Sequence, residues 1–152
     1  MGPIIIRIHP GLSLVCVVGL AGLLEWMHSL ATAASFVTRI VSSSIIFASG
    51  TVLLFWAIRT LKRENTSIEP HDVPSSFVTS GPFRFSRNPM YFANILLVLA
   101  FVFLTGSLWF LVSAMIQFTL LHTWVIPAEE ERLKRAFPEE TQAWFSTTRR
   151  WL

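Results

Sequence analysis

The sequence predicts an all-α integral-membrane protein. It should hold about four transmembrane helices, with a C-terminal helical hairpin and an interfacial amphipathic helix near the C-terminus. Three observations carry this. Charged residues make up 14% of the chain and hydrophobic residues 53%, where a soluble domain carries about 25% charged residues. Mean hydropathy is +0.57. Three windows hold no Asp, Glu, Lys or Arg: Ile8–Leu24, Ile40–Ile58 and Asn88–Ala128, of 17, 19 and 41 residues. About 20 apolar residues cross a bilayer as a helix, and a helix bonds its own backbone groups in lipid.

The first window predicts a span over residues 8–27 and the second one over 38–58. A signal-peptide reading of the first would use Arg7 as the basic flank and Ala31-Thr32-Ala33 as a cleavage site. The polar stretch Glu25–His28 interrupts that reading. The third window is long enough for two spans. Thr105-Gly106-Ser107 at its middle is a tight-turn signal, which predicts a hairpin of helices over 89–104 and 108–126. At 152 residues the chain is read as one domain, 1–152, with two polar segments, 66–91 and 127–152.

The composition excludes an ordinary cytosolic enzyme, a disordered chain and a disulfide scaffold. Cys16 is the single cysteine, and His9, His28, His71 and His122 lack metal-ligand spacing, so no metal site is expected. The formal net charge of +3 points to lipid headgroups and topology rather than nucleic acid. Arg59, Lys62, Arg63, Arg84 and Arg87 lie in the middle loop, and Arg132, Lys134, Arg135, Arg149 and Arg150 in the C-terminal tail. The opposite side holds Arg39. By the positive-inside rule both termini and the middle loop face the cytoplasm, across the inner membrane if the source is bacterial.

The polar segments carry the chemistry. Pro70, Pro74, Ser75, Ser76, Ser80, Gly81 and Pro82 make residues 59–88 a loop. Asn88-Pro89 is a helix-start signal, Asn as cap and Pro in the first turn. The N-terminus of that helix, with its free N–H groups, suits an anion. In the second segment Leu133, Ala136 and Phe137 share a helical face near Glu129 and Glu130, and Pro138-Glu139-Glu140 starts a new helix. Trp144, Phe145 and Trp151 among Arg149 and Arg150 suit an interfacial helix.

Taken in order, Gly81–Arg84, Arg87–Tyr91, the apolar hairpin, Glu129-Glu130, Leu133, Phe137 and Arg149–Leu152 resemble the isoprenylcysteine carboxyl methyltransferase and phospholipid methyltransferase superfamily. The likeness covers about residues 66–152 and is to the bacterial-type members. There are departures: Asn88 stands for His, Phe83 for Tyr, Pro138 for Gly, and Thr141 and Trp144 for two tyrosines. Val125 stands where the eukaryotic isoprenylcysteine enzymes place a substrate-contacting Arg, which bears on the acceptor more than on the cofactor.

The resemblance implies S-adenosylmethionine as cofactor. It implies contacts from Ser75, Ser76, Phe77, Val78, Phe83, Asn88, Pro89, Met90, Tyr91, Glu129 and Glu130. The acceptor would be a membrane lipid or lipidated molecule, such as a prenylcysteine carboxylate or an aminophospholipid, entering sideways from the bilayer. Arg87 is a candidate partner for the cofactor carboxylate, and Glu130 or Tyr91 a candidate proton acceptor for an amine. Two rival readings stay open: a sterol-reductase-like enzyme using a nicotinamide cofactor, and a non-catalytic scaffold or carrier of the same fold.

Overall fold

A computed structural model describes residues 10–66 and 75–152. The start of the first window (Ile8, His9), Arg7, and the loop residues Pro70, His71 and Pro74 lie outside the described residues. Six α-helices follow in order: α1 Pro10–Met27, α2 Phe36–Arg63, α3 Pro89–Thr105, α4 Trp109–Leu120, α5 Ile126–Ala136 and α6 Pro138–Thr147. A short 3-10 turn, Gly81–Arg84, precedes α3, and a π-helical turn, Leu121–Val125, joins α4 to α5. No strand forms among the described residues, only isolated bridges at Ala31–Ser107 and Ser86–Arg149.

Three helices are long and apolar enough to cross a membrane: α1, α2 and the continuous run Trp109–Ala136. The fourth apolar helix, α3, has 17 residues, about 25 Å of rise against a hydrocarbon core of about 30 Å. Neighbouring helices alternate in direction: α2 lies along α3, α3 pairs with α4, and α1 packs on α4. Leu12, Val15, Ile45, Val52, Phe55 and Met115 face outward, so the apolar exterior that composition demands is present.

Small residues let α2 and α3 approach closely. Ser43, Gly50 and Ala57 recur every seven residues on the buried face of α2. A Cβ on Gly50 would lie 3.2 Å from each of Ala93 O, Leu96 Cβ and Leu97 Cδ2. Close backbone approach of this kind is how helices associate where no hydrophobic drive acts between them.

One end of the bundle is closed by short polar links. Gly106 caps α3 in the left-handed conformation, φ 74°, as the turn signal predicts. Arg39 fits against it and donates to Phe103 O and Leu104 O, each at 3.2 Å, satisfying carbonyls that the end of α3 leaves free. Glu25 accepts from Ser107 Oγ and Ser29 Oγ, both at 2.7 Å. Trp109 Nε1 donates to His28 O at 2.7 Å.

Three expectations change. The helix begun at Trp109 does not stop near Ile126 but runs on through α5 to Ala136. Pro127 has no N–H for the carbonyl four residues back and its ring would clash there. The wider π turn just before it absorbs the conflict without ending the helix. The C-terminal amphipathic helix stops at Thr147, so Arg149–Leu152 continue beyond it. Trp144 is buried, not a lipid anchor.

Candidate functional site

The opposite end of the bundle gathers the start of α3, α5, α6 and the C-terminal tail. Tyr91, in the first turn of α3, donates its hydroxyl to Glu129 Oε1 at 2.5 Å. Tyr91 is buried in a cluster with Ile95, Leu121, Val125 and Ile126. The loop before α3 and the acidic turn of α5 are thus in direct contact.

Glu130 lies beside Glu129 and is 8% exposed. Its carboxylate accepts from two arginines. Arg150 binds it with both ends, Nε to Oε1 at 3.1 Å and Nη2 to Oε2 at 2.6 Å, and Arg87 Nη1 sits 3.0 Å from Oε1. A bidentate guanidinium–carboxylate pair is among the stronger polar contacts. A buried carboxylate without such partners would carry a heavy desolvation penalty. Both oxygens of Glu130 are therefore committed to arginine. This leaves it poorly arranged as the free proton acceptor the sequence reading allowed, and suited to holding arginines in place. Burial lowers the pKa of the Arg87 guanidinium, Glu130 opposes this, and Arg150 adds to the lowering. Arg87 also stacks on Phe145, 4.2 Å from ring centroid to guanidinium carbon, and its Nε is buried without a partner.

Asn88 occupies the N-cap position of α3 and Pro89 the first turn, but the Asn88 side chain makes no cap bond. Its Nδ2 donates instead to Arg150 O at 3.1 Å, and its backbone N–H donates to Ser86 Oγ at 3.1 Å. The plain-cap role expected of Asn88 is corrected on this point. The C-terminal tail competes for the amide, and the N-terminus of α3 has no side-chain cap.

The remaining predicted residues divide into two groups. Phe83 is buried with Ala57 and Trp144, and Phe77, Val78, Met90, Leu133 and Phe145 pack around them. Trp144 Nε1 donates to Phe83 O at 3.2 Å, and Phe77 meets the Trp144 ring edge-on at 5.3 Å. These aromatics adjoin the ionic cluster through Phe145, which Arg87 covers. Ser75 and Ser76 bind elsewhere. Ser75 Oγ donates to Asn65 O at 2.7 Å and Ser76 Oγ to Glu64 O at 2.8 Å. They fasten the returning loop to the end of α2, and among the described residues they make no hydrogen bond to the cluster of Tyr91, Glu129 and Glu130.

Sequence reasoning treated Arg150 as a topology charge and Trp144 as a departure, and assigned no role to Ser86 or His122. Arg150 is the main partner of Glu130. Ser86 is fully buried and donates to Arg150 O at 3.2 Å. His122 Nδ1 accepts from Trp151 Nε1 at 3.2 Å. The position of Arg149–Leu152 as the last block of the resemblance was the available signal. No group of three or more His, Cys, Asp or Glu able to hold a metal occurs among the described residues.

An all-helical bundle with apolar outer faces and its polar chemistry at one end defines a membrane protein with an interfacial site. Residues 38–140 match the family model described as phospholipid methyltransferase. That is most of the chain, and the protein belongs to this family. Among curated proteins it is similar to the cobalt-zinc-cadmium resistance protein CzcN of Cupriavidus metallidurans, with 37% identity over 65 residues. The match covers 43% of this chain and spans 30% of the length of that relative. No solved structure matches.

Proposed function

We propose that this protein is a single-domain, four-span membrane methyltransferase that moves a methyl group from S-adenosylmethionine to a membrane-embedded lipid or lipidated acceptor at the cytoplasmic interface. The observation that carries the reading is the Tyr91–Glu129 hydrogen bond, which joins the start of α3 to the acidic turn of α5 in a family of methyltransferases. The residues present fit the cofactor's groups. The α3 N-terminus lacks a side-chain cap and suits a carboxylate. Glu129 Oε1 is taken by Tyr91, and the other carboxylate oxygen suits an ammonium or ribose hydroxyls. Phe77, Phe83 and Phe145 offer ring faces at the same end. Ser75 and Ser76 support the site by securing its loop.

When bound, S-adenosylmethionine supplies an electrophilic methyl on a sulfonium that is already a good leaving group. The chain's own contribution is alignment and exclusion of water. Tyr91 holds the Glu129 carboxylate in one orientation. Glu130 fixes Arg87 beside the α3 N-terminus. The apolar faces of α3 and α4 lead from the lipid to this end and give a lipid acceptor its route. A carboxylate acceptor needs no base. For an amine, Glu129 with its Tyr91 partner is better placed to take a proton than Glu130, whose oxygens are both bonded to arginine.

Purified protein in detergent, titrated with S-adenosylhomocysteine and separately with a reduced nicotinamide cofactor, tests the proposal by calorimetry. A stoichiometric response to the first alone is expected. Response to the nicotinamide cofactor alone would identify a reductase, and response to neither a scaffold.

A further inference from the structure

We infer that the C-terminal tail, Thr148–Trp151, is a structural wall of the proposed site, and that Arg150 is a positioning residue acting through Glu130. The inference rests on the cofactor reading above. Three elements meet on this tail. Arg87 N donates to Arg149 O at 2.8 Å, and Ser86 and Arg149 form a parallel bridge. Arg150 O accepts from both Ser86 Oγ and Asn88 Nδ2, so the backbone of the tail satisfies the entrance of α3. The Arg150 side chain reaches the other way and grips both oxygens of Glu130 on α5. Trp151 then docks on α4 and the π turn. It donates to His122 Nδ1, and its ring lies 5.0 Å from that of Phe118.

The consequence concerns geometry at Glu129 and Arg87. Glu130 sits between two guanidinium groups, and only Arg150 engages it bidentately. Without Arg150, Glu130 Oε2 loses its ion-pair partner and Arg87 is held by one contact. The Asn88 side chain draws its bond from the Arg150 backbone, so the tail also keeps that amide from capping α3. Arg150 thus touches no cofactor group itself. It sets Arg87, Asn88 and the α5 turn that carries Glu129.

Three full-length variants in detergent test this: Arg150→Ala, Arg150→Lys and Arg149→Ala. Two quantities are read, affinity for S-adenosylhomocysteine and amide hydrogen exchange of the segment 84–92. Arg149→Ala removes the same charge from an exposed neighbour and serves as the control. Arg150→Ala is expected to weaken binding at least tenfold and to speed exchange of the Arg87 region at least tenfold. Arg149→Ala should change binding less than twofold, and Arg150→Lys should recover at least threefold of the loss by restoring a single-point ion pair. Exchange in α2 and in the Ala93–Val102 part of α3 should stay at the wild-type rate, which shows the bundle intact. Unchanged affinity in Arg150→Ala, an equal loss in Arg149→Ala, or no recovery with lysine would overturn the positioning role. If the wild type itself does not bind S-adenosylhomocysteine, the cofactor reading falls. The exchange data then decide the tail alone: faster exchange near Arg87 in Arg150→Ala supports the wall, and an unchanged rate overturns it.

Discussion

Two adjacent glutamates in the same helical turn have different surroundings and different uses. Glu129 meets a tyrosine hydroxyl; Glu130 meets two arginines. Substitutions should separate them. Glu129→Ala is expected to weaken S-adenosylhomocysteine binding at least tenfold while leaving the thermal unfolding temperature within a few degrees, since Tyr91 loses one neutral partner. Glu130→Ala should instead destabilise the fold, because it strands two guanidinium groups that are partly buried. Breaking a buried ion pair from one side costs about 3–5 kcal/mol, to be discounted here because Arg150 is 29% exposed. Differential scanning fluorimetry on both variants checks the contrast. The sequence carried the identity of these residues but not their division of labour. That division depends on Arg150, 20 residues further on, and spacing along one helix contains nothing about a partner supplied by the tail.

At the scale of helices, the apolar windows were legible because a bilayer penalises every stray charge, and their ends were legible through Asn88-Pro89, Gly106 and Pro138. What stayed hidden were features set by contact between elements: the π turn before Pro127, the diversion of the Asn88 amide, the inward turn of Trp144. Two predictions belong here. Gln117 on α4 is fully buried, and both its side-chain polar atoms lack partners among the described residues. An unsatisfied buried polar group costs about 1–3 kcal/mol, so Gln117→Leu should raise the unfolding temperature in detergent. Gly50→Val should do the reverse. The added side chain meets the α3 backbone and two leucines at contact distance, and such overpacking costs about 1–3 kcal/mol. A lowered unfolding temperature with unchanged helical content by circular dichroism is the expected result.

For the whole molecule, the two ends of the bundle are built differently. One is tied by Glu25, Arg39, Gly106 and Trp109 through short links among neighbouring turns. The other collects most of the arginines and lysines on α5, the end of α2 and the tail. The charge asymmetry was visible in the sequence and gives the expected orientation, with the site end toward the cytoplasm. A cysteine placed at Leu152, in a Cys16→Ser background, should react with a membrane-impermeant thiol reagent in inside-out vesicles and stay protected in intact cells. Labelling in intact cells would reverse the orientation.

The π turn at Leu121–Val125 holds one residue more than a regular helical turn would. Each residue advances a helix by about 100°. Deleting a single lipid-facing position there, Thr123 for example, would let the backbone relax to ordinary pitch and swing the whole distal helix around its axis. Glu129 and Glu130 would then point away from α3 although neither had been touched. The chemistry of this protein depends on a miscount in the middle of its most featureless stretch, and a one-codon deletion among greasy residues should be as damaging as the loss of a charged one.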